Sequence, residues 1–282
     1  LKFTIDEFRD WRNKNVTLLG MSGVGKTYLS SVLCGHNWFH YSGDYRIGTR
    51  YLDEPILDLI KHQAMQVPFL RDLLRRDWIY IRNNIKVDDL GPVLSFVGKL
   101  GNPELGGVPL EEFARRQAQY REAEIAAMND VPEFVRKARE IYGYQHFVND
   151  VGGSLCELEE PTVIDLLLRH TLILYIQVTD EEEETKLIDR AQSDPKPLYY
   201  RPAFLQEQLA AYLKENGLEY AAEMDPDAFT CWVFPRLFRS RIPRYEAIAG
   251  PHGYTVTSRE VSAVRDESDF LQLLETAIAR GS

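Results

Sequence analysis

The sequence predicts an α/β protein, a mostly parallel five-stranded sheet flanked by helices, in one domain of 282 residues. Three observations predict it. The apolar run Val16-Thr17-Leu18-Leu19 leads into Gly20-Met21-Ser22-Gly23-Val24-Gly25-Lys26-Thr27 and then into a helical pattern, Tyr28 to Leu33. Further strand-like runs alternate with helical segments, the pattern of crossovers between parallel strands. One of these runs, Leu172 to Val178, is almost uniformly apolar, as a strand covered on both faces must be.

In chain order, residues 4–13 read as a short helix opened by a Thr4/Glu7 capping box. After the glycine-rich loop and its helix, Gly35-His36-Asn37 breaks the pattern and Trp38-Phe39-His40-Tyr41 forms a second strand. Residues 51–142 form a large helical insert, clearest in periodicity at Leu110–Met128 and Pro132–Tyr142, with loops at Gly91-Pro92 and 101–107. A third strand, His146-Phe147-Val148-Asn149, ends in Asp150-Val151-Gly152-Gly153-Ser154. Pro161 opens a helix through Leu168, with Glu159 and Glu160 at its positive end. Helices at 181–192, 203–215 and 227–238 follow the fourth strand. Tyr254–Thr257 is the fifth strand and Ser268–Ala279 the closing helix. The domain therefore divides into a core (1–50 and 143–282), the insert at 51–142 and a helical lid region at about 186–245.

Lys plus Arg number 33 against 43 Asp plus Glu, a formal net charge of −10. That balance argues against nucleic acid as a partner, which would call for a basic field. Cys34, Cys156 and Cys231 are widely spaced and make no CxxC pair, so the expectation is a reduced, cytoplasmic compartment. Leu1 to Asp6 lacks the apolar region of a signal peptide, and Asp165, Arg169 and His170 interrupt the longest apolar stretch, so no membrane association is expected. The six histidines have no ligand spacing.

The chemistry sits in G-x-x-x-x-G-K-T, which in its strand–loop–helix setting is a P-loop. Its glycines let the backbone wrap an anion, and the following helix adds its positive end. Gly20, Ser22, Gly23, Val24, Gly25, Lys26, Thr27 and Tyr28 are the candidate nucleotide-binding residues. Lys26 would reach the β- and γ-phosphates, and Thr27 with Asp150 would hold Mg²⁺. Asp150-Val151-Gly152-Gly153 also matches the D-x-x-G of GTPase switches, but no Asn-Lys-x-Asp follows a later strand, so ATP is the expected nucleotide.

Ser42-Gly43-Asp44-Tyr45-Arg46 resembles the end of the second strand in adenylate and cytidylate kinases. Three further segments resemble shikimate kinase: Asp150-Val151-Gly152-Gly153, Tyr120-Arg121-Glu122-Ala123-Glu124, and Arg241-Ile242-Pro243-Arg244-Tyr245-Glu246-Ala247-Ile248-Ala249. The chain thus resembles the shikimate and nucleoside-monophosphate kinases of the P-loop NTPase superfamily. Ser42 stands where shikimate kinases carry the first aspartate of a pair, and the insert is far longer than theirs. The resemblance implies that Asp44, Arg46, Arg121, Gly152, Gly153 and Arg241 face a small acceptor. It also implies that arginines soon after the fourth strand, Arg190 and Arg201, close over the phosphates. The expected catalytic set is Lys26, Asp44, Arg46, Arg190 and Arg201, in an ATP-dependent phosphotransferase. The alternative is an ATP hydrolase or a nucleotide-switched interaction protein. The acidic run Asp180–Glu184 reads as a solvated helix start.

Overall fold

The computed structural model describes residues 2–281. Five strands, β1 (Asn15–Leu19), β2 (Trp38–Ser42), β3 (His146–Asp150), β4 (Leu172–Gln177) and β5 (Tyr254–Thr257), form one sheet in the order β2-β3-β1-β4-β5. Every pairing is parallel, with Leu18 opposite both Asp150 and Leu174, and Ser42 opposite Asp150. All five residues of β1 are buried, which is the burial its position between β3 and β4 demands. The chain reverses its direction of winding at β1, so the crevice at the carboxyl edge opens beside that strand.

Fourteen helices are described. α1 (Ile5–Asp10) has the expected Thr4/Glu7 capping box but stops before Trp11, whose ring stacks on Phe3 at 4.8 Å. α2 (Lys26–Cys34) starts at the loop lysine. α3 (Gly43–Arg46) follows β2 and runs into one wide π turn, Ile47–Tyr51. The insert contains α4 (Asp53–Ala64), α5 (Pro68–Arg75), α6 (Gly91–Val97), α7 (Leu110–Asn129) and α8 (Val131–Glu140). It is less helical than its pattern suggests, because residues 77–90 carry no helix.

α9 (Pro161–His170), α10 (Glu181–Ser193) and α11 (Pro202–Asn216) lie within two residues of their expected bounds. α12 (Pro226–His252) does not. It continues fourteen residues past 238, through Pro243 and Pro251, and also contains Pro235. A proline removes one backbone bond and is disfavoured inside a helix, but Leu237, Arg241, Tyr245 and Ala249 are buried four residues apart and Pro243 and Pro251 face solvent. The buried stripe packs on β4, β5 and the turn Leu155–Glu157, and tertiary packing overrides the local preference. α13 (Ser258–Ala263) and α14 (Glu267–Gly281) complete the chain.

The main apolar core surrounds the sheet. A second cluster joins Leu100, Val108 and Phe113 of the insert to Tyr200, Phe204, Phe229, Val233 and Leu237. Among the described residues no helix is long and apolar enough to cross a membrane. We propose that both clusters belong to one cooperative domain, because α12 contributes side chains to each. Phe229→Ala should then lower a single melting transition by ~3–5 kcal/mol, the usual cost of such a core truncation. Two separable calorimetric transitions, with only one shifted, would divide the chain instead.

Candidate active site

The carboxyl ends of β1, β2 and β3 bring together the glycine-rich loop, α3 and the Asp150–Ser154 stretch. Gly20, Gly23 and Gly25 have φ of +147°, +90° and +109°, a backbone that only glycine adopts without strain. Gly25 caps α2, so Lys26 and Thr27 stand in that helix's first turn. The Lys26 ammonium is buried and donates to the carbonyls of Gly20 (2.8 Å) and Met21 (2.9 Å). Burial lowers its pKa, while Asp150 and Asp44 act against the shift.

The Thr27 hydroxyl donates to Asp150 Oδ2 at 3.0 Å, so the two residues assigned to Mg²⁺ from the sequence are neighbours. A hydroxyl and a carboxylate are hard oxygen donors of the kind that suit Mg²⁺. His40, which nothing in its spacing singled out, places Nε2 3.8 Å from Asp150 Oδ2. It lies on β2 two residues before Ser42, and strand alternation brings it to the same face.

Asp44, in the first turn of α3, lines a cavity of about 280 Å³ together with Lys26, Thr27, Asp150 and Gly153. Desolvation and then the Asp150 charge push its carboxyl up to about 6, against the pull of Lys26. Its Oδ1 accepts a long hydrogen bond, 3.4 Å, from the Tyr120 hydroxyl. Behind it Glu124 of α7 is fully buried. Glu124 Oε2 accepts from the Ser154 hydroxyl at 2.6 Å, and Oε1 has no partner. Burial pushes this carboxyl up to about 8; the Ser154 bond opposes the rise and Asp44 adds to it. A side chain on Gly152 would start 3.0 Å from Asp44 Oδ1 and from Glu124 Oε1, so both carboxyls converge on that glycine. Gly153 lies against the loop, its missing Cβ only 3.1 Å from the Ser22 amide nitrogen.

The arginines separate. Arg190 lies over the loop, so close that a Cβ on Gly23 would fall 1.9 Å from its Nη2. Arg46 is drawn away to Asp130 (Nε–Oδ2 2.7 Å) and over the Phe134 ring. Asp130 follows α7 far along the chain, and no local signal in the sequence announces it. Arg121 donates Nε and Nη2 to the Leu158 carbonyl at 2.9 and 2.6 Å. Arg241 is buried beside the loop and donates to the Tyr199 carbonyl at 2.8 Å. Arg201 lies 3.8 Å from Glu157 and 3.9 Å from Glu159, not over the loop. Glu157, fully buried and overlooked in the sequence, also faces Arg241 (4.0 Å) and Arg244 (3.7 Å). Glu159 pairs with Arg201 and Arg244 rather than acting at the start of α9.

A second, larger groove of about 600 Å³ adjoins the loop, lined by Val24, Tyr28, Val178, Leu187, Val261 and Arg265 among others. Its far wall is α13, which the sequence pattern did not mark out as part of a site. The link is tertiary: the Tyr28 hydroxyl donates to the Val264 carbonyl at 2.6 Å. The acidic run is only partly solvated. Asp180 caps α10 and binds Arg259, Glu184 binds Arg239, and Glu183 takes the Ser258 hydroxyl.

A parallel sheet in this order, with a glycine-rich loop ending in Lys26-Thr27 between its central strand and α2, is the α/β fold of the P-loop NTPases. No family model and no curated protein matches the sequence. Among solved structures the chain is similar to shikimate kinase from Bacteroides thetaiotaomicron. The TM-score is 0.40 at 15% identity, over 95% of this chain and 95% of that one.

The Glu124 geometry sets a pH dependence. A carboxyl raised on folding from 4.5 to about 8 contributes stability that is full below the lower value and is lost as pH rises through the higher. Glu124→Gln removes that loss. Between roughly pH 5 and pH 9 its melting temperature should fall less than the wild type's, by the equivalent of a few kcal/mol. Equal falls in both proteins would show that Glu124 does not change its ionisation on folding.

Proposed function

We propose that this protein is an ATP-dependent phosphotransferase, moving the γ-phosphoryl group of Mg-ATP to the hydroxyl of a small acceptor. One observation carries the reading: Asp44 shares a single cavity with Lys26, Thr27 and Asp150. A hydrolase needs only the last three. A carboxyl raised to about 6 and set across from the phosphate loop suits a base for an acceptor hydroxyl.

On this reading the loop amides and Lys26 hold the β- and γ-phosphates, and the apolar groove beside Tyr28 and Val261 takes the base. Thr27 and Asp150 hold Mg²⁺, which when bound neutralises charge on the phosphates. Arg190 approaches from the outer side of the loop. The acceptor oxygen bonds to the γ-phosphorus, the bond to the β,γ-bridging oxygen breaks, and ADP leaves with that electron pair. The hydroxyl proton passes to Asp44. The unpaired cysteines suit a reduced, cytoplasmic setting.

A second reading, a hydrolase or nucleotide-switched interaction protein, has one observation in its favour. α5 has no buried residue, and Phe69 on it and Trp78 and Tyr80 after it are 71%, 66% and 80% exposed. Such a face fits a partner surface. Acceptor dependence separates the two readings.

Asp44→Asn keeps the shape of the side chain and removes the base. Nucleotide affinity by calorimetry should stay close to wild type, while acceptor-stimulated ADP release falls ~10²–10⁴-fold. Undiminished stimulation in the variant would end the role given to Asp44. Mg-ATP at a hundredfold excess over its dissociation constant should stabilise the protein by ~2.7 kcal/mol. GTP should do so less well, and Lys26→Ala should abolish the shift. A shift that survives Lys26→Ala would remove the loop from nucleotide binding.

A further inference from the structure

Thr27 and Asp150 have a third neighbour, and the inference drawn from it rests on the reading of both as the residues that hold Mg²⁺. Asp150 ends β3, the strand between β2 and β1. Thr27 reaches it from the β1 side and donates its hydroxyl to Oδ2 at 3.0 Å. His40 approaches the same oxygen from the β2 side, with Nε2 3.8 Å away. The β2–β3 register pairs His40 with Val148 and Ser42 with Asp150. Alternate residues share a face, so His40 and Asp150 project to one side of the sheet.

The His40 ring is largely enclosed, and Nε2 is a buried atom with no hydrogen-bond partner. Such an atom costs stability, and native interiors hold few of them. At 3.8 Å the two groups are too far apart for a hydrogen bond but near enough for the carboxylate to choose the tautomer. With Nε2 bare, its lone pair would face a carboxylate oxygen; with Nε2 protonated, an N–H faces it. The second arrangement is the favoured one. A shift of the carboxyl group by less than about 1 Å completes the bond.

Carboxylates that serve a metal are themselves held by hydrogen bonds from groups that do not touch it, and those partners fix orientation and affinity. The Lys26 ammonium, in the same cavity, donates to the carbonyls of Gly20 and Met21 instead. We propose that His40 is a positioning residue for the cation: its Nε2–H is the donor that holds the Asp150 carboxylate beside Thr27 for Mg²⁺.

The test is ATP affinity by calorimetry, in Mg²⁺ and again in EDTA, for the wild type and three variants. The wild type should bind more tightly in Mg²⁺. His40→Leu should give back ~10-fold or more of that gain, the usual cost of removing such a partner, and lose nothing in EDTA. His40→Gln places an amide nitrogen near the Nε2 position and should keep most of the gain. His40→Asn carries the same amide one methylene shorter, out of reach of Asp150, and should behave as His40→Leu does. The contrast between Gln and Asn decides the matter even if His40→Leu fails to fold. Free His40→Leu should melt no lower than the wild type, since it loses an unpaired buried nitrogen. Equal gains from Mg²⁺ in Gln and Asn, or a loss of the same size in Mg²⁺ and in EDTA, would overturn the role given to His40. A wild type that binds ATP equally well with and without Mg²⁺ would instead remove the cation assignment of Thr27 and Asp150, before any variant is made.

Discussion

The site depends on one desolvated ammonium. Lys26 is fixed at the start of α2 by the loop that precedes it, buried, and bound only to the carbonyls of Gly20 and Met21. Two neutral carbonyls are poor compensation for a charge taken out of water. The nearest carboxylates act on it from a distance, across the cavity. The loop backbone, with three glycines at positive φ, is shaped around an anion. Lysine and loop together leave an unmet electrostatic demand of the kind an anion meets. The same demand sets the acidity opposite. Lys26 pulls Asp44 and Glu124 down, while burial and the neighbouring carboxylates hold both above the ordinary carboxylate range.

A second charge balance lies next to the first. Glu157 has no accessible surface, and neither of its oxygens has a hydrogen-bond donor. Arg201, Arg241 and Arg244 surround it at 3.7–4.0 Å, and Glu159 takes the outer faces of Arg201 and Arg244. Three guanidiniums around one buried carboxyl form a network in which removing one member strands the rest. It joins the turn after β3 to the start of α11 and the middle of α12. Arg241 is thereby held beside the loop, and its charge is shared before any ligand arrives.

The fold was legible because its signals are local. A β-branched run before the glycine-rich loop, a proline at the start of α9 and the Asp180 cap of α10 all act within a few residues. Thr27 and Asp150 were also legible, since each ends or follows a strand of the same sheet, and β1–β3 pairing brings them together. What escaped sequence reasoning is set by partners far along the chain. Arg46 turns to Asp130, 84 positions away, and no local pattern distinguishes that from a free guanidinium. The prolines of α12 correctly report a weak local preference, but the buried stripe from Leu237 to Ala249 outweighs it. Arg201 falls where a lid arginine would, yet Glu157 lies 3.8 Å from it, and a glutamate at the end of a short turn carries no signal of burial. The groove wall formed by α13 is brought to the loop by the sheet order, which places β5 two strands from β1.

The second apolar cluster joins the Asp44 side of the cavity to the glycine-rich loop side. α7 carries Tyr120 and Glu124 on the turns that face Asp44 and Gly152. One turn earlier, the buried Gln117 side chain donates to the Leu198 carbonyl (3.1 Å) and accepts from the Tyr200 amide (2.8 Å). That amide pair clamps the segment between α10 and α11 to α7, and Phe113, Tyr200 and Phe229 pack the joint from behind. Arg190, near the end of α10 and over Gly23, is only a few residues from the clamped strand of chain. A rigid-body displacement of α7 would break buried hydrogen bonds unless the segment after α10 moved with it, because those bonds have no water to replace them. Tyr120 and Glu124 beside Asp44 and Arg190 over the loop therefore share one mechanical unit. α7 and α12 each place side chains in both cores, Phe113 and Ala127 from the one and Phe229 and Phe238 from the other, so both helices tie the unit to the sheet.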